Sequence, residues 1–139
     1  MAEYAKPLPD ITPVTRPFWE GARAHKLLIQ RCRRCGHVRF PPAPVCPECL
    51  APATDWVEAR GRGEVVSWVV FHQVYFEGFR AEAPYNVTLV RLDEGPSLLT
   101  NVVGIPNERL KVGMPVEVVF EEATPEVTLP KFRPVEGQP

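Results

Sequence analysis

A chain of 139 residues, of which 45% are hydrophobic, can bury one sizeable core, or one small core beside a unit that is stabilised in another way. Its net charge of -1 at pH 7 and its 24% of charged residues give no bias toward nucleic acid or anionic lipid. Binding to either would have to come from a local patch.

The first residues, 1–10, show neither a cationic start followed by an apolar stretch nor a small-residue cleavage site. No later window approaches the roughly 18 apolar residues that a membrane-spanning helix needs. We therefore expect a soluble cytoplasmic protein without a membrane partner.

The first periodic segment begins near Pro17 and ends near His25. Its spacing predicts one short amphipathic helix, with Thr15 at the N-cap and Pro17 in the first turn. The positions that recur at helical spacing are Phe18, Trp19, Ala22 and Lys26. We expect Phe18 and Trp19 either to pack on the rest of the fold or to contact a partner.

Two cysteine pairs follow a short extended run at residues 27–31. The pairs are Cys32 with Cys35 and Cys46 with Cys49, and ten residues separate them. Two residues between paired cysteines let both sulfurs reach one ion, and Gly36 and Pro47 favour the tight turns that this needs. The sequence therefore predicts a single site of four thiolates.

Such a site is structural rather than catalytic, because four thiolates around zinc leave no open position at which water could be activated. Rubredoxin-like iron is the alternative, since tetrahedral thiolate sites also hold iron. Two disulfides would suit a secreted protein, but no export signal is recognisable. A nucleobase deaminase is excluded because His37 lacks the following glutamate of that motif. We expect one structural zinc ion, whose removal unfolds residues 27–58 before the rest.

Basic side chains crowd around the first cysteine pair. They are Arg31, Arg33, Arg34, His37 and Arg39. They either offset the charge of the thiolate centre or bind phosphates, of a coenzyme or of single-stranded nucleic acid. The later region adds few cations, which argues against nucleic acid.

Beyond Gly61 and Gly63, which we interpret as a hinge between two subdomains, the sequence has β character. Strands are predicted at 65–75, 86–92 and 97–103, the last two forming a hairpin, and after the turn at 112–115. In that last strand Val116, Val118 and Phe120 share one face. The absence of long helices favours a small antiparallel sheet or closed barrel, and the Pro-rich residues 125–139 are predicted to be a tail.

The loop at residues 76–84 carries two large aromatic side chains, Phe76 and Phe79, before Pro84. Such side chains either fold back onto the core or form part of a partner-binding surface. The three histidines lack companions at a recognisable motif spacing, and metal binding would leave no free thiol as a nucleophile. We therefore expect that this chain is not an enzyme.

Several motifs recur in a characteristic order: Phe18-Trp19-Glu20-Gly21, the cysteine pairs with Gly36 and Pro47, Phe40-Pro41-Pro42, Trp56, Gly61-x-Gly63-x-Val65-x-Ser67, Ala83-Pro84-Tyr85, Leu92-Asp93-Glu94-Gly95 and Val112-Gly113-Met114-x-Val116. Together they resemble the family once catalogued as domain of unknown function 35, which joins a rubredoxin-like zinc ribbon to a C-terminal OB barrel. The resemblance implies a mainly β protein, with a short helix and zinc ribbon in residues 1–60 and a small antiparallel OB-fold barrel in residues 61–139.

Members of this family are found with thiolase-fold enzymes acting on acyl-CoA, such as acetyltransferases, thiolases and aldolases that shorten steroid side chains. The resemblance therefore implies a non-catalytic accessory subunit of a hetero-oligomer, with acyl-CoA shared between the subunits. It also implies that the four cysteines are the zinc ligands. Our hypothesis assigns partner binding to Phe18, Trp19, Phe76, Phe79 and Pro84, and CoA phosphates to Arg33, Arg34 and Arg39. The alternatives are an independent acyl-CoA-binding protein, a single-stranded nucleic-acid-binding protein and a redox iron protein.

Overall fold

The computed structural model describes residues 4–135 and confirms a mainly β chain with one short α-helix in that range. The elements are α1 (Arg16–Arg23), β1 (Leu28–Cys32), β2 (Val38–Arg39), β3 (Thr54–Glu58), β4 (Arg62–Phe71), β5 (Tyr85–Leu92), β6 (Ser97–Thr100), β7 (Pro115–Glu122) and β8 (Thr128–Pro134). Two short 3-10 helices lie at Glu77–Phe79 and Asn107–Arg109. The strands form two antiparallel sheets, in the orders β2-β1-β3 and β6-β5-β4-β7-β8.

Helix α1 lies where its spacing predicts it, with Thr15 at the N-cap and a proline in the first turn. The hydroxyl of Thr15 does not cap the helix, because it accepts a hydrogen bond from the backbone N–H of Thr12 at 3.0 Å instead. The inner face of the helix buries Phe18 and Ala22. Phe18 is thereby part of the main hydrophobic core.

The larger sheet closes into a barrel, as the strand pattern favoured. Its two ends meet at a parallel bridge between Val102 and Phe132. The N–H of Val103 donates to the Phe132 carbonyl at 2.8 Å, and the N–H of Phe132 donates to the Asn101 carbonyl at 3.0 Å. An irregularity between Val65 and Ser67 accompanies the change in β4 from pairing with β7 to pairing with β5 alone. Closure of this kind satisfies backbone groups that an open edge would expose.

The prediction of a Pro-rich tail at residues 125–139 was wrong for residues 128–134, which form β8. This strand pairs with β7 over seven registered positions, and its Phe132 is completely buried. Prolines are tolerated here because β8 ends the sheet order and, apart from the bridge at Phe132, has a ladder on one side only. Residues 136–139 of the predicted tail lie outside the described range.

The close packing around Gly61 and Gly63 does not favour their interpretation as a hinge, which stays a prediction. A Cβ atom at Gly61 would lie 2.4 Å from Cγ1 of Val118, and one at Gly63 would lie 2.4 Å from the carbonyl oxygen of Arg91. Both glycines therefore permit close packing between neighbouring segments. A single core runs across this point and includes Leu27, Ile29, Ala59, Val65, Val90 and Phe132. A domain boundary at residue 60 stays a prediction.

Candidate metal centre and apolar face

The four cysteines converge as the spacing predicted, with all four sulfur atoms within 4.8 Å of one another. The Sγ atoms of Cys32 and Cys49 are 3.5 Å apart, and those of Cys35 and Cys46 are 3.6 Å apart. A disulfide would bring two sulfurs to about 2 Å, whereas a zinc tetrahedron with bonds of about 2.3 Å separates them by about 3.8 Å. The arrangement therefore suits one tetrahedral metal ion of the zinc or iron type.

The two cysteine turns share one backbone design. Each ends in a residue of left-handed conformation, Gly36 at φ 80° and Leu50 at φ 66°. The N–H of Gly36 donates to the Cys32 carbonyl at 2.9 Å, and the N–H of Leu50 donates to the Cys46 carbonyl at 2.8 Å. These turns direct both sulfurs of each pair toward one point, which is the reason for the two-residue spacing.

Backbone amides around Cys32 favour its thiolate form. The N–H of Cys35 donates to the Cys32 sulfur at 3.5 Å, and that of Arg34 donates to it at 3.4 Å. The Cys35 amide lowers the pKa of Cys32 to about 6, against the effect of burial and with help from Arg34. Cys32 and Cys46 are buried while Cys35 is exposed, so the cage lies just beneath the surface.

The three arginines proposed for CoA phosphates lie in different surroundings. Arg33 forms an ion pair with Asp55 at 2.7 Å, and Arg34 is exposed with no ion pair among residues 4–135. Arg39 is only 5% exposed, and its Nη2 donates to the hydroxyl of Thr54 at 2.8 Å. The guanidinium of Arg39 thus supports the ribbon, and Arg34 is the most available of the three.

The residues proposed for partner binding also differ in their exposure to solvent. Phe18 is buried in the core, and Trp19 is half-buried in an edge-to-face contact with it, at 4.9 Å between ring centroids. Phe79 folds back and stacks on Tyr85 at 5.0 Å. Phe76 is 57% exposed, and Pro84 is also exposed. Phe79 therefore folds back, whereas Phe76 is exposed, and its role in partner binding stays a prediction.

An apolar surface that the sequence analysis missed surrounds Phe76. We call it the outer apolar face, and its exposed members are Val69 (54%), Tyr75 (63%), Phe76 (57%) and Leu99 (69%). Val69 lies on β4 and Leu99 on β6, on the side of the sheet turned away from the core. The sequence does contain a pattern that indicates this face, because apolar residues occupy outward strand positions where alternation would place polar ones. It was hidden because the inward face could not be assigned before the register was known.

A cavity of about 490 Å³ opens in this face. Its wall is formed mainly by aromatic and aliphatic side chains, among them Phe71, Tyr75, Phe76, Phe79, Tyr85 and Leu99. None of the residues that line it is charged. The cavity lies at the end of the β4–β5 hairpin, beside the loop at residues 76–84 and away from the cysteines.

Comparison with known proteins agrees with this architecture. The profile described as the ChsH2 rubredoxin-like zinc ribbon domain matches residues 19–55, and that of the ChsH2 C-terminal OB-fold domain matches residues 56–121. A "DUF35 domain-containing scaffold protein" of Pyrococcus furiosus is 32% identical over 125 residues, which cover 85% of this chain and 90% of the relative. The chain belongs to the DUF35 family.

Two other similar proteins have descriptions that name an enzyme. This DUF35 chain is similar to a chain of a solved structure described as "Ltp2-ChsH2(DUF35) aldolase", with 44% identity and a TM-score of 0.83 over 91% of this chain and 98% of that one. It is also 44% identical over 133 residues to a "Probable enoyl-CoA hydratase alpha subunit" of Thermomonospora curvata, covering 96% of this chain. It spans 41% of the length of that hydratase subunit. Within residues 4–135, no helix has the length and apolarity of a transmembrane segment.

Proposed function

We propose that this chain is a non-catalytic accessory subunit that binds a thiolase-fold acyl-CoA enzyme, and specifically an aldolase. The outer apolar face carries the proposal, because four large apolar side chains exposed together are typical of an interaction surface. The description of the matched structure as an Ltp2-ChsH2(DUF35) aldolase, and that of a relative as a scaffold protein, support the choice of partner and role.

The chemistry of the side chains also supports an accessory role. All four cysteines belong to the cage, for which we propose one structural zinc ion without an open coordination position. The His25 imidazole, for which no companion was expected, lies 3.3 Å from the carboxylate of Glu122. Both side chains are more than half exposed, and His25 stacks on Phe120 at 5.1 Å between ring centroids. A pair so open to water is a weak candidate for acid–base catalysis, which leaves the reaction to the partner.

The binding proposal is tested by co-expressing the tagged chain with the aldolase and measuring the complex by size-exclusion chromatography and titration. Replacing both Tyr75 and Phe76 by serine should weaken binding at least tenfold, because the two exposed aromatic anchors are lost. Val112→Ser is the matched control, since Val112 is 73% exposed in a turn that does not belong to the outer apolar face. Absence of a complex with the wild-type chain, or equal binding by the double variant, contradicts the proposal.

A hydratase is the second candidate partner, because one relative is described as a hydratase alpha subunit. The same titration with an enoyl-CoA hydratase in place of the aldolase decides between the two classes. Turnover of an acyl-CoA by the isolated chain would contradict the accessory role with either partner.

For the phosphates of a shared acyl-CoA we propose Arg34 as the main contact, with Arg33 contributing and Arg39 holding the ribbon. Arg34→Ala should weaken acyl-CoA binding by the complex severalfold, because a phosphate loses a charge-assisted hydrogen bond. Arg109→Ala is the control, since Arg109 is exposed and lies in the short helix at Asn107–Arg109. Unchanged affinity in an Arg33→Ala/Arg34→Ala double variant would remove this contact from the proposal.

A further inference from the structure

We propose that the cavity in the outer apolar face is a binding site for an uncharged, apolar ring or chain. Its natural occupant would be the acyl end of a thioester rather than the nucleotide end, an identification that rests on the proposed function. The site as such does not, because it is inferred from the wall of the cavity and can be tested on this chain alone.

The size and wall of the cavity suit a small ligand. Its volume of about 490 Å³ falls within the roughly 300–1,000 Å³ of typical ligand pockets. Such pockets are lined by aromatic and aliphatic side chains with few polar groups. Here Phe71, Phe79 and Tyr85 form the inner part of the wall, where Phe71 and Tyr85 meet edge to face at 5.4 Å.

The absence of charge in the wall determines the class of ligand, and the side chains of Thr100 and Asn101 are already engaged in hydrogen bonds. The Thr100 hydroxyl donates to the carbonyl oxygen of Pro130 at 3.2 Å, and the side-chain amide of Asn101 donates to the carbonyl oxygen of Asn86. No charged residue lines the cavity, so a phosphate would lose its hydration there without gaining a cation. An apolar group meets no such cost and removes apolar surface from water.

The wall is also held in place before any ligand arrives. Phe79 is stacked on Tyr85, and the Nζ atom of Lys6 lies 5.4 Å from the centre of the Phe79 ring. Lys6 also forms an ion pair with Glu82 at 2.6 Å, so the N-terminal segment ties down the loop that carries Phe79. The backbone of Ala5 packs so closely on Gly78 that a Cβ atom there would lie 2.4 Å from the Ala5 carbonyl oxygen. A preformed wall lowers the ordering cost of binding.

The test is calorimetric titration of the full chain, without a partner, with free CoA, acetyl-CoA and octanoyl-CoA. Affinity should rise from acetyl-CoA to octanoyl-CoA by about twofold to fourfold for each methylene that becomes buried, and free CoA should bind weakest. A parallel titration with progesterone distinguishes a site for flat rings from one for chains. Equal affinity for the acetyl and octanoyl esters, with no binding of progesterone, would overturn the proposal.

Two variants locate the binding. Leu99→Asp adds a charge to the rim at a side chain that is 69% exposed, so the fold should tolerate it, and binding of octanoyl-CoA should fall at least tenfold. Val112→Asp makes the same chemical change outside the cavity and should leave affinity unchanged. Equal loss in both variants, or none in Leu99→Asp, contradicts the site.

The partner proposal and the cavity proposal fail separately. If affinity for acyl-CoA esters rises with the length of the acyl group but the protein retains no acyl-CoA enzyme, the cavity proposal is supported and the proposed function is contradicted. If the protein retains the enzyme but binds acetyl-CoA and octanoyl-CoA equally and does not bind progesterone, the proposed function is supported and the cavity proposal is overturned.

Discussion

The cysteine turns, residues 32–51, and the barrel, residues 62–134, are ordered by different means. The turns have a buried cluster of only Cys32, Cys46 and Ala51. The barrel contributes most of the main core, including fully buried Val65 and Phe132. A segment that buries so little apolar surface cannot offset the entropy of its own ordering without a metal, whereas the barrel can.

Removal of the metal should therefore have the largest effect, and the effect should be confined to one region. Structural zinc contributes on the order of 10–16 kcal/mol of apparent binding free energy in small peptides. Excess chelator, or Cys46→Ser, should unfold the cysteine turns while the barrel stays folded. Hydrogen exchange followed by mass spectrometry should show protection lost between residues 32 and 51.

Which residues unfold on metal removal is a sharper test than whether unfolding occurs. Ile29 of β1 belongs to the main core, while Cys32 at the end of the same strand belongs to the cage. Although the sequence predicted unfolding of residues 27–58, the place of Ile29 in the core predicts that its protection survives chelation. Metal analysis of the untreated chain should return one zinc ion per chain. Loss of protection across β4 to β8 would mean that the barrel depends on the metal as well.

The second prediction concerns the core of the barrel. Phe132→Ala should lower the free energy of unfolding by about 3–5 kcal/mol, because a completely buried phenylalanine leaves a large cavity. Phe132→Leu is the control and should cost clearly less. Urea unfolding followed by circular dichroism measures both. A small effect of the alanine variant would mean that β8 is the peripheral tail expected from its prolines.

The difference between the two regions also explains what could be predicted from the sequence. The cage was predictable because thiolate chemistry leaves few uses for two closely spaced pairs, and the turns that present them are local. The resemblance supplied the OB barrel, since strand patterns alone did not distinguish it from an SH3-like one. Strand β8 was missed because its prolines argued against a strand, and its place at the end of the sheet, where prolines are tolerated, follows only from its pairing with β7. The outer apolar face was missed for a similar reason, because the two faces of each strand could not be assigned before the long-range register was known.

The third prediction separates close packing from backbone conformation. Gly61→Ala should cost about 2–4 kcal/mol, because Gly61 has φ 78° and a Cβ atom there would lie 2.4 Å from Val118. Gly104→Ala is the matched control, since Gly104 has φ 75° and a Cβ atom there would meet no atom within 4 Å beyond its chain neighbours. It should cost about 1 kcal/mol. Equal losses of thermal stability in the two variants would mean that Gly61 is needed only for its backbone conformation. A hinge without close packing would give that result.

The smallest expected effect belongs to the loop beside the cavity, which is held by neither the cage nor the core. Although burial lowers it, the pKa of Lys6 is raised above 10.5 overall by the Glu82 carboxylate. The ion pair therefore contributes its stability below about pH 10.5 and loses it as the pH rises through the higher pKa of the folded state. At pH 8, Lys6→Met should cost at most about 1 kcal/mol, because Glu82 is 41% exposed. The difference in thermal midpoint between this variant and the wild type should shrink as the pH rises through the raised pKa of Lys6, and a difference that persists above it would mean that Lys6 stabilises the loop other than by its charge.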